Sequence, residues 1–147
     1  MLKTVAPNIG TLPPGTVLQV VHATNSTRAT ITTGTFANTN LSATITPTRA
    51  SSKIMIVAST CVYPKTPAGA AFATLARNST ELSGLAAGMA TVNALDVFTG
   101  VALNWLDSPN TTSSVTYRLQ GKSYVAGQES LFGDNGKDSM ILIEVAA

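Results

Sequence analysis

Asp138-Ser139-Met140-Ile141-Leu142-Ile143-Glu144-Val145-Ala146-Ala147 is an apolar run, rich in branched aliphatics, that reaches the last residue of the chain. A terminal segment frays unless a sheet or a neighbour ties it down. This one is too apolar to be left in water, so it reads as a strand in the core of a sheet. The preceding Asp134-Asn135-Gly136 reads as a hairpin turn, because Asn-Gly supplies the positive-φ positions such turns need. The chain is therefore expected to be a β-structure closed by its own tail.

Composition points the same way. The 147 residues include 22 threonines, about three times an even share among twenty types. Threonine's branched side chain suits a pleated surface better than a helix. Charged residues make up only 11% and aromatics 5%, while 44% are hydrophobic, which is too apolar for a disordered chain. The length suits one domain with a real core. The expectation is an all-β domain whose faces are polar but uncharged.

Charge argues against several partners. The net charge is +2, and the nine basic residues are scattered from Lys3 to Lys137 without a run. A nucleic-acid stripe needs clustered bases with interleaved aromatics, so no nucleic-acid partner is expected. No stretch approaches the ~18 apolar residues of a membrane helix, and Met1-Leu2-Lys3 opens no signal-peptide core. Neither membrane insertion nor secretion is expected. Gly84-Leu85-Ala86-Ala87-Gly88 has the small-residue spacing of membrane helices, but its short polar flanks favour a loop or a close backbone approach. The one cysteine, Cys61, excludes an internal disulfide and reads as a small buried apolar residue.

Residues 1–15 stand apart. Leu2, Val5, Ile9 and Leu12 are interspersed with Pro7, Gly10, Pro13, Pro14 and Gly15, a pattern that makes neither a helix nor a regular strand. The segment is either a flexible tail or an extended arm lying on another subunit. Its spaced aliphatics favour the arm, since solvated tails carry few of them. Residues 16–147 form the domain proper.

From Thr16 onward strand signals recur at short intervals. They cover Thr16–His22, Ala29–Thr35, Leu41–Ile45, Lys53–Tyr63, Val97–Leu106, and the alternating Val115, Tyr117 and Leu119. In the strongest, Ile54, Ile56, Ala58, Thr60 and Val62 share one face while Met55, Val57 and Cys61 make the other apolar too. That strand should be central and covered on both sides. Ala71–Arg77 is strand or a helical turn by composition, although Asn78-Ser79-Thr80 with Glu81-Leu82 favours a hairpin. Residues 84–95 are ambiguous, Asp107-Ser108-Pro109-Asn110 is a turn, and Tyr124-Val125 should begin a further strand. Eight or nine strands call for a two-sheet antiparallel sandwich of jelly-roll type.

Signals of catalysis are absent. His22 is the only histidine and has no carboxylate within ten residues; on a strand it should cap a ladder or face solvent. One histidine and one cysteine do not make a zinc site. The seven carboxylates (Glu81, Asp96, Asp107, Glu129, Asp134, Asp138 and Glu144) are dispersed, and nothing selects two of them as a glycosidase pair. Asp134 to Asp138 lacks the ligand spacing of a calcium loop and carries Lys137 inside it. No enzyme, metal or cofactor is expected. Tyr63, Trp105, Tyr117 and Tyr124 offer rings that could stack on sugars, with packing the commoner use of Trp105.

Four stretches together resemble a known family: Gly15 to Val21; Leu41 to Pro47 with Ser51-Ser52-Lys53-Ile54; Leu106-Asp107-Ser108-Pro109 with Thr111 to Tyr117; and Met140 to Val145. Their order and wording are similar to the C-terminal head domain of bacteriophage tail-fibre proteins, especially phages of cyanobacteria and marine bacteria. The likeness spans residues 13–147. It implies a non-enzymatic homotrimeric β-sandwich on the virion surface, made in the bacterial cytoplasm and touching a host-surface glycan or protein. Tail-fibre chains generally place a shaft before such a head, whereas only residues 1–15 precede it here. A decoration (cement) protein on the capsid shell suits that arrangement equally.

The expectation is thus an all-β, jelly-roll-like sandwich of about eight strands preceded by an extended N-terminal arm. It forms a homotrimer on a phage head or tail, next to the major capsid protein or to tail and baseplate proteins. Leu2, Val5, Ile9 and Leu12 would anchor the arm, and Tyr63, Trp105 and Tyr124 are the candidate surface-contact aromatics.

Overall fold

The computed structural model describes residues 12–133 and 137–147. Its eleven strands are β1 (Val17–Asn25), β2 (Ala29–Ile31), β3 (Ala37–Ile45), β4 (Lys53–Pro64), β5 (Ala71–Arg77), β6 (Thr80–Glu81), β7 (Ala90–Val92), β8 (Thr99–Asp107), β9 (Val115–Ser123), β10 (Ser130–Phe132) and β11 (Asp138–Val145). All pairings are antiparallel, and they divide into two sheets.

The eleven pieces occupy eight positions. Along one side of β4, β11 pairs with residues 53–59 and β10 with residues 62–64, both antiparallel, while β8 takes the other side. β10 and β11 are therefore one strand broken in the middle. Their outer neighbours β2 and β1 are broken at the same level. In the second sheet β6 and β7 likewise share the free side of β5, whose other side pairs with β9.

Counted by position, the first strand lies beside the eighth, the third beside the eighth and the sixth, the second beside the seventh, and the fourth between the seventh and fifth. This nested wrapping is a jelly roll. The C-terminal run is an interior strand, flanked by β1 and β4, as its apolar character requires.

Alternation explains the core. Ile54, Ile56, Ala58 and Val62 of β4 face Met140 and Leu142 of β11, and across the gap Leu41, Ile45, Leu75, Tyr117 and Leu119 of the second sheet; all are essentially buried. Each large aliphatic buried in this way contributes about 1.5–3 kcal/mol. Gly121 of β9 lets the sheets close where the Phe132 ring fills the interior, since a Cβ there would collide with that ring.

Several sequence expectations are corrected. Asp134-Asn135-Gly136 lies outside the described residues, but the pieces on either side of it run in the same direction along β4. They do not form a hairpin with each other, since both pair with the same side of β4. Tyr124-Val125 starts no strand: Gln128 N donates to Val125 O, and Gly127 has φ +86°, so the chain turns there. Ala71–Arg77 is strand, its alanines overruled by partners on both sides. β4 is central, yet only one of its faces is covered: Met55 and Val57 are exposed and Cys61 is half-buried on the outer side.

Candidate functional site

Two surfaces stand out, one on the outside of each sheet. On the first sheet, register places Val20, Ile143, Met55 and Leu106 in one row across β1, β11, β4 and β8. Val20 is 59% exposed, Met55 41% and Leu106 53%. The next row is His22, Ile141, Val57 and Asn104, and the next Thr24, Ser139, Ser59 and Ala102. No carboxylate stands on these rows. Lys53, opposite Val145, stands at their edge. His22 faces solvent, as its sequence suggests, and shares a hydrogen bond of 3.1 Å with Ser139 Oγ. The result is an open sheet surface without carboxylates on these rows, greasy at one end.

The second surface is a groove where three loops meet at one end of the second sheet. Lys122 of β9 stands directly opposite Phe72 of β5. Its ammonium lies 4.8 Å from the Phe36 ring centre and 4.9 Å from that of Phe72, and it donates to the Ala86 carbonyl. Cation–π contacts of this kind hold a lysine in place. Tyr124, 68% exposed, sits 6.0 Å from Phe72. The groove between Gly34, Phe72, Ala86, Lys122 and Tyr124 has a volume of about 320 Å³. A shallower hollow of about 420 Å³ adjoins it past Lys122, reaching Phe36, Leu85 and Glu81.

The described carboxylates act as structural ties. Asp107 ends β8 rather than lying in a free turn; it accepts two bonds from Arg77 at 3.0 and 2.9 Å and one from Tyr117 at 2.7 Å. Burial first, and then this hydrogen bond to a carboxylate, drive the Tyr117 hydroxyl pKa far up. Glu144 is fully buried and accepts from Gln19 Nε2 and from Thr48 N and Oγ1. Burial pushes its pKa up, but these donors outweigh that and hold it below the ordinary value. Glu81 behaves in the same way, its burial outweighed by donors from Ser83, Thr74 and Gly84. At the surface, Asp96 is lowered by Thr66, and Lys65 and Glu129 form a mutual ion pair. Among the described residues no group of three His, Cys, Asp or Glu side chains could hold a metal ion.

The residues singled out from sequence are not brought together. Leu2, Val5 and Ile9 lie outside the described residues. Leu12 is half-buried just before a turn, in which Thr16 N and Oγ1 donate to Pro13 O while Gly15 N reaches Ala146 O. Tyr63 is half-buried on the outside of β4, its ring 4.5 Å from that of Phe98. Trp105 lies opposite Ile56 on the core side of β8, partly exposed because β8 is the sheet edge. Only Tyr124 reaches the groove. Lys122, Phe36 and Phe72 were invisible as a group because they are far apart in the chain. The apolar outer row had a signal, Met55 and Val57 between the inward isoleucines.

The chain matches no protein-family model and no curated protein.

Proposed function

We propose that this protein is a passive structural component of a bacteriophage particle, a homotrimer assembled through the outer face of the first sheet. The uncharged row Val20–Ile143–Met55–Leu106 carries the reading. A lone subunit would leave this row in water, and contiguous exposed apolar surface of that kind usually marks an association site. Identical copies related by closed symmetry can cover it. With no carboxylate on the rows, burial avoids the several kcal/mol that each desolvated ion would cost.

Strand and residue spacings make the face on the order of 400 Å². A stable interface takes about 800 Å² per partner. The aliphatic side chains of Leu2, Val5, Ile9 and Leu12 would supply further contact, to a neighbouring subunit or to the particle. The three-fold number and the virion setting rest on the resemblance to tail-fibre heads, and with it the contact to a host surface.

Sedimentation equilibrium of the full chain tests the assembly. A mass of three chains is expected, and a single chain at micromolar concentration would overturn it. Immunogold labelling of particles tests the setting: label at the fibre tip supports a tail-fibre head, label over the shell a decoration protein, and no label on particles refutes both.

A further inference from the structure

We infer that the groove at Lys122 and Tyr124 binds an acidic sugar, its ring face lying on Tyr124 and its carboxylate meeting the Lys122 ammonium. The inference deepens the host-contact part of the proposed function and leaves the opposite, self-associating sheet untouched.

The aromatic wall comes first. The Tyr124 ring rests against Gly69, where a Cβ would stand 3.0 Å from Cδ1. Its N–H is tied to Ala70 O, and the following Val125 N to Ala68 O. An aromatic side chain 68% exposed on so constrained a backbone is a ready platform, costing little ordering on contact. Amphipathic rings suit partners that are apolar on one side and wet on the other, and a pyranose has that character.

The charge is the second feature. Lys122 is the one ionised side chain lining the main groove, and among the described residues it has no carboxylate partner. Glu81 reaches only the adjoining hollow, where Ser83, Thr74 and Gly84 donors already engage its oxygens. Phe36, Phe72 and the Ala86 carbonyl fix the ammonium in position, so a carboxylate meets a preorganised charge-assisted donor. A volume near 320 Å³ is at the small end of ligand pockets, ~300–1,000 Å³, which suits one sugar unit of a longer glycan.

The test is a titration of the full-length, ¹⁵N-labelled protein with D-glucuronate, D-glucose and acetate in parallel. Glucuronate is expected to shift the amides of Gly34, Ala86 and Tyr124 saturably, with glucose and acetate at least fivefold weaker. Tyr124→Ala should raise the glucuronate Kd at least fivefold, and Lys122→Met should abolish the preference over glucose. Unmoved amides, equal response to glucose, equal response to acetate, or an unaffected Tyr124→Ala variant would each overturn the inference. Sedimentation on the same samples separates the two readings: single chains that still respond to glucuronate refute the assembly alone, and trimers that do not respond refute the groove alone.

Discussion

The Tyr117 hydroxyl donates to Asp107 Oδ2 at 2.7 Å, a bond between strands of opposite sheets, β9 and β8. Arg77 of β5 completes the bridge by donating to both oxygens of the same carboxylate. Tyr117 is fully buried, so removing its hydroxyl leaves Asp107 with a lost partner in a dry site. Tyr117→Phe should lower unfolding free energy by about 1–3 kcal/mol. Asp107→Ala should cost about 1.5–3 kcal/mol, since it leaves the buried phenol without its acceptor while Arg77, partly exposed, keeps Ser108 O. Urea unfolding at fixed protein concentration measures both, and an Asp107→Ala variant as stable as wild type would show that the bridge contributes nothing.

Acid should weaken the fold through Glu144 and Glu81. Both carboxylates sit below the ordinary 4.5 in the folded chain, so the unfolded state binds protons first as pH falls. Their contribution is complete above about pH 4.5 and is lost as pH drops through the folded values. Glu144→Gln should be less stable by about 2 kcal/mol at pH 7, because an amide presents N–H groups to donors. Its deficit should shrink as pH falls from 4.5 through the lowered folded value, read from urea midpoints. A constant deficit across that range would assign the loss to packing.

Gly121→Ala should be among the most damaging single-methyl changes in the chain. The new Cβ would overlap the Phe132 ring, which is fully buried and cannot swing away. Overpacking of this kind costs about 1–3 kcal/mol. Adding Phe132→Leu should restore part of it, so a double-variant cycle should show coupling. Strict additivity would place the strain elsewhere.

Charging the outer face should separate assembly from folding. Met55→Glu and Leu106→Glu together put two like charges side by side in one row on a surface that is already solvated in the single chain. Such surface changes usually alter protomer stability by about 0.5 kcal/mol or less. The expected outcome is loss of the oligomer, with sedimentation falling to a 15.1 kDa species that retains its β circular-dichroism spectrum. An unchanged mass would place the contact on another face.

The architecture was largely legible because period-2 alternation is a local signal. Ile54-Met55-Ile56-Val57 and Met140-Ile141-Leu142-Ile143 both carry it, and both became interior strands. What alternation does not report is who covers a face. Met55 and Val57 implied a second covering layer, and in the single chain that layer is solvent. Turn chemistry at Asp134-Asn135-Gly136 suggested a hairpin, but turn residues do not report which strands pair, and the pieces on either side run the same way along β4. The groove was the least legible part. Of its residues only Tyr124 had a reason to be noticed, because Phe36, Phe72 and Lys122 meet only once β9 has paired with β5 and the β2–β3 loop has closed over them.

Pairing of the first strand with the last has a consequence for biosynthesis. β1 is made long before its hydrogen-bonding partner β11, with nine other strands between them among the described residues. Until β11 emerges, Val21 and Ala23 have no sheet to join, and the nascent chain must keep its aliphatic stretches from other chains. Contacts this distant in sequence close slowly. Folding is therefore expected only once β11 is made, and crowded expression should favour inclusion bodies over native product unless synthesis is slowed.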